Sequence, residues 1–544
     1  MAKCNHQILN PKNMHVHLVG AGIATMSAAV FLIRDVGVLG EHIHFYEQLP
    51  VEGGSLDGAR SPSADGYVTR GGRMLEDEAY VCLWNLLESI PTVGNPELTG
   101  RQEIAQFNRE VPTYARARII DRNHQILDAS DLGLDAYDRV QLTRLLALPE
   151  KLIGARRIED FFSEHFFQTN FWTMWCSMFA FQPWHSAIEM KRYLLRFMQE
   201  VPRIHTLAGV RRTKLNQYDS IVLPIQRWLQ NHGVQFESGV TVKDVDFVET
   251  ADARVASALH IERNGQAQEI KLGVQDYVFL TLGSMTADAA YGGDDTVPPL
   301  IRDKRDGGFE LWETIASKAG DFGRPNAFCG NVDESKWESF TLTMTGRALL
   351  QRIIDFSGNQ PGTGALMTFK DSNWLMSIVV PHAPHFIGQP NDVYTLWGYG
   401  LFIDREGNYV NKKMSECTGQ EILTELLGQL GFKDADDEIR KTTRVTTVMM
   451  PYITSQFERR VPEDRPLVVP KGAKNFAFLG QYVEIPEDVV FTVEYSVRGA
   501  MHGVYELMGV DLPIPAIYHA LEHPSVAFQA LRTIRTGRAD WDAR

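Results

Sequence analysis

The sequence predicts an α/β protein with a discontinuous Rossmann-like domain, an inserted α+β domain and a helical C-terminal tail. Three observations predict this fold class. An apolar stretch runs into a glycine-rich turn near the N-terminus, and two similar strand-to-glycine transitions follow near residues 283 and 480. Because parallel strands need long crossover connections, such distant segments can share one sheet while the chain between them forms other units.

The first transition has the pattern of a dinucleotide-binding turn. The apolar strand His15–Val19 runs into Gly20-Ala21-Gly22-Ile23-Ala24-Thr25 and then into a small-residue helix from about Met26 to Arg34. Gly20 allows the tight turn, and Gly22 lets the backbone approach a pyrophosphate at the positive end of the helix. A second strand ends in Glu47, where a ribose-binding carboxylate is expected. The alternative is a glycine-rich turn in an ordinary α/β sheet.

A second glycine-rich turn makes FAD the preferred dinucleotide. The segment Glu52–Gly58 follows the acid closely and contains Gly54 and Ser55, which suits a chain that passes along an extended adenine dinucleotide. Later segments with strand or helix character are expected to return to the same cofactor. Their predicted cofactor contacts are Val242, Ser284, Gly480, Thr492 and Ser496.

The next loop, Arg70-Gly71-Gly72-Arg73-Met74-Leu75, is predicted to bend close to the flavin, with its first four residues as cofactor contacts. Within this loop, Met74 carries a thioether, which can neither accept a proton nor hold water tightly, at a position where chemistry would favour an acid. Glu76 and Asp77 are the nearest carboxylates. A solvated surface position is the commoner fate of such residues.

Composition excludes several classes of function. The net charge of −14 argues against nucleic-acid binding, and the 44% hydrophobic residues are ordinary for a globular protein. The five cysteines are scattered and lack CxxC spacing, which argues against a metal cluster and favours a reducing compartment. No window reaches about eighteen apolar residues, and a secretory apolar core is missing, so a cytoplasmic location is expected.

The length of 544 residues predicts two or three domains. The cofactor domain is assigned residues 1–110, 205–290 and 471–510, with an aromatic-rich helical region at 111–204, a substrate domain at 291–470 and a helical tail at 511–544. Residues 156–200 hold twelve aromatic side chains. These form either ordinary core or an apolar cavity that suits a long hydrocarbon.

The tail is predicted to be a basic amphipathic helix. One face carries Phe528, Leu531 and Ile534, and the arginines nearby are Arg532, Arg535 and Arg538. Such an end either makes a peripheral contact with an anionic membrane surface or docks on its own protein.

Taken together, these residues resemble the oleate hydratases, FAD-containing fatty acid hydratases once called myosin-cross-reactive antigens. The resemblance covers nearly the whole chain and is also carried by Asn216–Tyr218, Gly362–Leu366, Phe369–Trp374 and Phe491–Arg498. It implies a redox-neutral addition of water across the cis double bond of an unsaturated free fatty acid such as oleate. It also implies that FAD acts in its reduced form, whose charge stabilises positive charge developing on carbon.

Carried over position by position, the resemblance makes Tyr193 the proton donor to the alkene. Tyrosine has an ordinary pKa of about 10, so it needs neighbours that stabilise its anion. The family's water-activating glutamate is replaced by Met74, which leaves Glu76 as a candidate for that role.

The resemblance also implies substrate contacts. Gln217 and His385 match family positions at the substrate pocket, whereas the threonine and asparagine upstream of the histidine are replaced by Val379 and Pro381. Carboxylate binding must then use other groups, such as His385 or His382.

Two further functions stay open on the sequence. The chain could be a flavin-dependent lipid oxidoreductase or isomerase, or a protein that binds FAD and a fatty acid without catalysis, which the loss of the glutamate at Met74 motivates. Both a monomer and a homodimer are compatible with the sequence.

Overall fold

The computed structural model describes residues 10–540 except 57, 61–65, 73, 252 and 433–436. Arg73, one of the predicted cofactor contacts, lies outside the described residues. The strands are β1 (His15–Val19), β2 (Ile43–Glu47), β3 (Gly58–Arg60), β4 (Tyr67–Thr69), β5 (Leu75–Glu76), β6 (Ile119–Ile120), β7 (Val210–Arg211), β8 (Gln235–Ser238), β9 (Val240–Glu249), β10 (Arg254–Arg263), β11 (Gln266–Lys271), β12 (Asp276–Thr281), β13 (Ala290–Gly292), β14 (Trp337–Thr345), β15 (Met367–Phe369), β16 (Ser377–Val379), β17 (Val393–Gly400), β18 (Thr443–Met450) and β19 (Phe476–Leu479). The helices are α1 (Ile23–Phe31), α2 (Val81–Leu87), α3 (Gly100–Glu110), α4 (Ala136–Ala147), α5 (Glu150–Ile153), α6 (Asn170–Phe179), α7 (Ala187–Arg196), α8 (Leu223–Asn231), α9 (Gly307–Ala316), α10 (Asn326–Cys329), α11 (Val332–Ser335), α12 (Ala348–Ser357), α13 (Gly419–Gln429), α14 (Asp437–Thr442), α15 (Val493–Met508) and α16 (Pro524–Thr536).

A parallel sheet in the order β19-β12-β1-β2-β8 brings together segments from distant parts of the chain. Strand β1 lies at its centre and pairs with β12 on one side and β2 on the other, both in parallel. The outer strands β19 and β8 extend the sheet in the same direction. This topology confirms the predicted α/β class with a discontinuous Rossmann-like sheet.

Helix α1 begins at Ile23, earlier than the expected start at Met26, and passes into a π-helical turn at Leu32–Val36. Every residue of α1 is buried because the helix packs between the sheet and α15, where small side chains allow close approach. Thr25 stands where a third glycine is usual, and its hydroxyl donates a hydrogen bond to the Gly20 carbonyl at 2.6 Å. The larger side chain is therefore accommodated by a local hydrogen bond.

A second sheet, β13-β18-β14-β17-β16-β15-β6, carries a separate hydrophobic core. Its strands pair antiparallel except for β15 and β6, which are parallel. Helix α12 packs in this core, and strands β15 and β16 follow it in the chain. A three-stranded antiparallel sheet, β11-β10-β9, flanks the parallel sheet and supplies part of the cleft described below.

The aromatic-rich segment forms α6 and α7 and is largely buried. Phe171 and Trp175 stack at 5.6 Å within the core, whereas Phe179 and Phe197 line a cavity. One part of this segment therefore forms ordinary core, and another part forms a cavity wall.

The tail helix α16 differs from the expectation of one apolar face. Ile534 is buried at 9% exposure, together with Ala530 and Thr533, whereas Phe528 and Leu531 stay 68% and 52% exposed. The helix packs on the segment Met198–Arg203, so one side is docked and the other faces solvent. Among the residues that the structure describes, no helix is both long and apolar enough to cross a membrane.

Candidate active site

A cleft lies at the carboxyl edge of the parallel sheet, where β1, β2, β12 and β19 end. The turn after each of these strands contributes to the wall, as expected for a ligand site in an open α/β sheet. The predicted cofactor contacts that line it are Gly20, Gly22, Ala24, Glu47, Gly54, Ser55, Val242, Ser284, Gly480 and Ser496. We call this the cofactor cleft.

The backbone of the two glycine-rich turns leaves room and donors for a diphosphate. Helix α1 begins after Gly22 without a side-chain cap, so its first N–H groups need acceptors from outside the helix. Gly54 has a φ of +58°, and a Cβ there would lie 3.3 Å from the Gly22 Cα. Thr281 Oγ1 also lines the cleft, is buried and has no hydrogen-bond partner among the described residues. These groups fit an oxygen-rich ligand.

Glu47 is held in place by backbone donors at the end of β2. Its carboxylate accepts hydrogen bonds from the Ala21 N–H at 2.7 Å and the Leu49 N–H at 2.8 Å. Burial raises the pKa of Glu47, and the two backbone hydrogen bonds oppose that rise. Ala21 itself is fully buried and is not among the residues lining the cleft, so its contribution is to position Glu47.

Three largely apolar cavities lie beside the cleft, and each shares wall residues with the next. We call this series of cavities the tunnel. The first section is lined by residues that include Tyr193, Phe179, Phe197, Glu76, Glu200 and Thr492. The middle section shares Gly72, Met74 and Phe491 with the first and adds Arg70, Gly71, Trp337 and Tyr399. The end section shares Arg212, Val379 and Trp397 with the middle and adds Gln217 and His385.

One layer of side chains separates the cleft from the first section of the tunnel. Gln481 lines the cleft, and its Nε2 donates to the Thr492 carbonyl at 2.9 Å and to Ser496 Oγ at 2.8 Å. Thr492 lines the tunnel instead of the cleft, and its hydroxyl caps α15 by accepting from the Tyr495 N–H at 3.1 Å. Thr492 therefore lies in the wall between the two spaces, and its role as a cofactor contact stays a prediction.

The loop from Arg70 to Met74 connects the two spaces. Arg70 Nη2 donates to the Gly54 carbonyl at 2.5 Å, which ties this loop to the second glycine-rich turn of the cleft. Gly71 and Gly72 line the tunnel and not the cleft. The prediction of a loop close to the cofactor cleft agrees with this geometry, but these residues face the tunnel.

Tyr193 lies in helix α7 with 1% of its surface exposed. Its hydroxyl donates a hydrogen bond to the Val490 carbonyl at 2.5 Å. The ring packs edge-to-face against Phe179 at 5.0 Å and Phe181 at 4.9 Å. The phenol group therefore reaches the tunnel from an apolar, water-poor wall.

The expectation of a solvated Glu76 is wrong. Glu76 is 3% exposed, and its carboxylate accepts from the Ala79 N–H at 2.6 Å and from Gln199 Nε2 at 3.0 Å. Burial raises the pKa of Glu76 well above its ordinary value, and the neighbouring Glu78 and Glu200 add to the rise. Asp77 does lie at the surface, where it pairs with Arg211 at 2.8 Å. Packing of α7 and the turn after it over the loop causes this difference.

Glu200 lines the same tunnel section and was missed by the sequence reasoning. It lies in the 3-10 segment Met198–Arg203, which directly follows α7. The only signal in the sequence is its position seven residues after Tyr193, about two helical turns along one face. Burial raises the pKa of Glu200, whereas the ion pair with Arg203 lowers it.

The middle and end sections of the tunnel share a partly buried cation, Arg212, that the sequence reasoning also missed. Arg212 Nη2 donates to the Gly364 carbonyl at 2.9 Å, and burial lowers the pKa of the Arg212 guanidinium to about 10. Arg212 therefore keeps its positive charge at neutral pH. Burial also lowers the pKa of His385 to about 3, so that imidazole is neutral there. Gln217 donates from Nε2 to the Gly71 carbonyl at 2.5 Å.

Comparison with known proteins places this arrangement in a family. The chain is similar to the oleate hydratase of Streptococcus pyogenes serotype M49 (strain NZ131), with 39% identity over 92% of this chain and 86% of that protein. It is also similar to the linoleate hydratase of Lactiplantibacillus plantarum, with 35% identity over 91% of this chain and 94% of that protein.

Solved structures share the fold at low sequence identity. Cyclohexylamine oxidase from Brevibacterium oxydans IH-35A matches 91% of this chain and 99% of its own, with a TM-score of 0.53 and 12% identity. Wild-type putrescine oxidase bound to putrescine gives the same coverage, with a TM-score of 0.50 and 11% identity. The family model described as the MCRA family matches residues 13–505. The chain therefore belongs to the MCRA family.

Proposed function

We propose that this protein is an FAD-dependent fatty acid hydratase that adds water across the cis double bond of an unsaturated free fatty acid such as oleate. The names of its two relatives, an oleate hydratase and a linoleate hydratase, support this proposal. The observation that carries it is the tunnel, which runs beside the cofactor cleft with Tyr193 in its first section and Arg212 in its last. A long hydrocarbon with one charged end matches that distribution of apolar and cationic groups.

The cofactor cleft supports FAD as the resident group. Gly20, Gly22 and Gly54 leave the backbone open to a diphosphate, and Glu47 is oriented toward a ribose position. A bound reduced flavin would supply negative charge beside the tunnel, where a low dielectric makes such charge effective.

Tyr193 is the proton donor in this proposal. Its hydroxyl donates to the Val490 carbonyl oxygen, so a rotation about the C–O bond must turn the proton toward an alkene in the tunnel. The surrounding Phe179, Phe181 and Phe197 exclude bulk water, which prevents random proton loss and protects the cation that develops on carbon.

Arg212 and Gln217 bind the fatty acid carboxylate. Because Val379 and Pro381 offer no side-chain donor here, the guanidinium takes over the anchoring role by a charge-assisted hydrogen bond. Neutral His385, buried beside it, adds a polar contact without a second charge.

The tail helix α16 makes a peripheral membrane contact through Phe528 and Leu531, which are exposed on its solvent side. Arg538 pairs with Asp128 at 2.8 Å and Arg532 with Asp540 at 2.6 Å, so part of the basic charge is neutralised. The contact is therefore carried mainly by apolar side chains.

The test is product analysis with purified protein, FAD, a reductant and oleate in ¹⁸O-labelled water without oxygen. We expect a hydroxy fatty acid heavier than oleate by one labelled water, and a loss of at least about 100-fold in kcat for Tyr193→Phe. Tyr137→Phe, at an exposed position, is the matched control. Unchanged oleate, or a flavin whose oxidation state changes with each turnover, would contradict the proposal.

A further inference from the structure

The tunnel lacks a base at the loop position where the resemblance expects one. Met74 lies there, and its thioether cannot take a proton from water. Two carboxyl groups, Glu76 and Glu200, line the same tunnel section as Tyr193. Of these two, the carboxylate with an available oxygen is the better acceptor for a proton from an attacking water.

The two carboxyl groups differ in how their oxygens are used. Glu76 accepts a hydrogen bond on each oxygen, from Ala79 N–H on Oε2 and from Gln199 on Oε1. Glu200 uses Oε1 for Arg203 Nε at 3.0 Å, whereas its buried Oε2 has no hydrogen-bond partner among the described residues. A buried carboxylate oxygen without a partner is costly unless a water or a ligand meets it.

Charge around Glu200 supports the same assignment. The Arg203 guanidinium favours the carboxylate form, and Glu78 and Glu76 face the cluster from the loop side. Burial, together with the neighbouring Glu78, raises the pKa of Glu200 despite the opposing effect of Arg203, which brings the group closer to neutral pH than an exposed glutamate. Arg211 also lies near enough to lower it.

We propose that Glu200 is the general base that takes the proton from the attacking water in this chain. The proposal rests on the proposed hydratase function and assigns a catalytic residue that the loop motif does not contain. Tyr193 lies in α7, and Glu200 lies in the 3-10 segment Met198–Arg203 that follows one residue after that helix, so neighbouring turns of the backbone carry acid and base. Arg203 is a positioning residue that holds Oε1, and Oε2 keeps no hydrogen-bond partner among the described residues.

The proton balance closes without a co-reactant. The Tyr193 O–H bond breaks and a C–H bond forms at one alkene carbon. The water oxygen then bonds to the other carbon while one water O–H bond breaks, and that proton goes to Glu200 Oε2. The proton returns from Glu200 to the Tyr193 phenolate before the next cycle, so one water is added and no electrons are transferred.

The experiment measures oleate hydration by wild type, Glu200→Gln, Met74→Glu and the double variant Met74→Glu/Glu200→Gln, with thermal unfolding and oleate binding measured for each. We expect Glu200→Gln to lower kcat by at least about 100-fold with oleate binding unchanged. A glutamate at position 74 restores the family's base, so the double variant should recover at least about tenfold over Glu200→Gln. Glu88→Gln is the matched control, because the Glu88 side chain is 54% exposed and is not among the residues lining the tunnel.

Each outcome decides between the proposals. If wild type yields no hydrated product, the hydratase function and the role of Glu200 fail together. If wild type is active and a folded Glu200→Gln stays within about threefold of it, only the role of Glu200 is overturned. If Glu200→Gln does not fold, Glu200→Asp decides, because it keeps a charge beside Arg203 but withdraws the carboxylate by one methylene. A fall of about tenfold in its kcat supports the base role, and an unchanged kcat overturns it.

Discussion

The cofactor cleft and the tunnel are built in different ways. The cleft is formed by turns directly after strands, and its key groups are backbone N–H donors and glycines within short sequence motifs. The tunnel is formed by side chains from the loop at Arg70–Met74, helices α6 and α7, and strands β14 and β17. A site made of backbone can be recognised from a local pattern, whereas a site made of side chains depends on packing between distant segments.

The substitution with the largest expected effect disrupts the cofactor cleft and leaves the tunnel unchanged. Gly54→Val places a branched side chain at φ +58° and a Cβ 3.3 Å from the Gly22 backbone. We expect purified protein to lose most of its flavin absorbance, because the two glycine-rich turns can no longer pack together. Gly94→Ala is the control, since nothing lies within 4 Å of a Cβ there. Retained flavin in Gly54→Val would mean that this turn does not contact the cofactor.

The next effect separates the tunnel from the cleft. Arg212→Met replaces a partly buried cation by an apolar chain of similar length, and we expect KM for oleate to rise about 10- to 100-fold, as for loss of a charge-assisted hydrogen bond. Flavin content should stay unchanged. Exposed Arg227→Met is the control. Wild type should prefer oleate over its methyl ester, and the variant should not; an equal preference in both proteins would exclude Arg212 as the anchor.

A third change should stabilise the protein without touching either site. Glu338 is fully buried on β14, and neither carboxyl oxygen has a hydrogen-bond partner within the described part of the chain. We expect Glu338→Met to raise the free energy of unfolding by about 2 kcal/mol, with kcat unchanged. Denaturant unfolding measures it. A destabilised Glu338→Met would indicate that the carboxyl makes contacts that the fold needs.

The same residue predicts a dependence on pH. Burial raises the pKa of Glu338 well above its ordinary value. The folded state then binds the proton more tightly than the unfolded state, so its stability is greatest below the unfolded pKa and falls as pH rises through the folded pKa. Glu338→Gln should flatten that fall, and an identical slope in wild type and variant would contradict this sign.

The smallest effect concerns the tail. Replacing Phe528 and Leu531 by serine removes two exposed apolar side chains, and we expect binding to anionic vesicles to weaken about fivefold. Val274→Ser, at an 89% exposed position far from the tail in sequence, is the control. Equal vesicle binding by all proteins, measured by co-sedimentation, would remove the membrane contact from the proposal.

The residues that the sequence predicted lie mainly in the cofactor cleft, and those that it missed lie in the tunnel. The pattern from His15 to Glu47 predicted strands, turn and acid, because each depends on neighbours along the chain. Tyr193 was found only through the resemblance, since its helix has an ordinary amphipathic pattern. Glu200 and Arg212 were missed because their chemistry comes from burial, which is decided by segments far away in sequence.

The errors have the same cause. Glu76 was expected in solvent because that is the commoner fate of an acidic residue, but Gln199 and Arg203 cover it from another segment. Ile534 was grouped with Phe528 on one face of α16, yet docking on Met198–Arg203 buries only the former.

The hydrogen bond from Arg70 to the Gly54 carbonyl has a consequence for ligand binding. A dinucleotide that moved this turn on entry would also move Arg70 and the tunnel wall at Gly71 and Gly72. Loading of the coenzyme and uptake of lipid would then be linked equilibria, and by thermodynamic reciprocity each ligand would change the affinity for the other by the same factor.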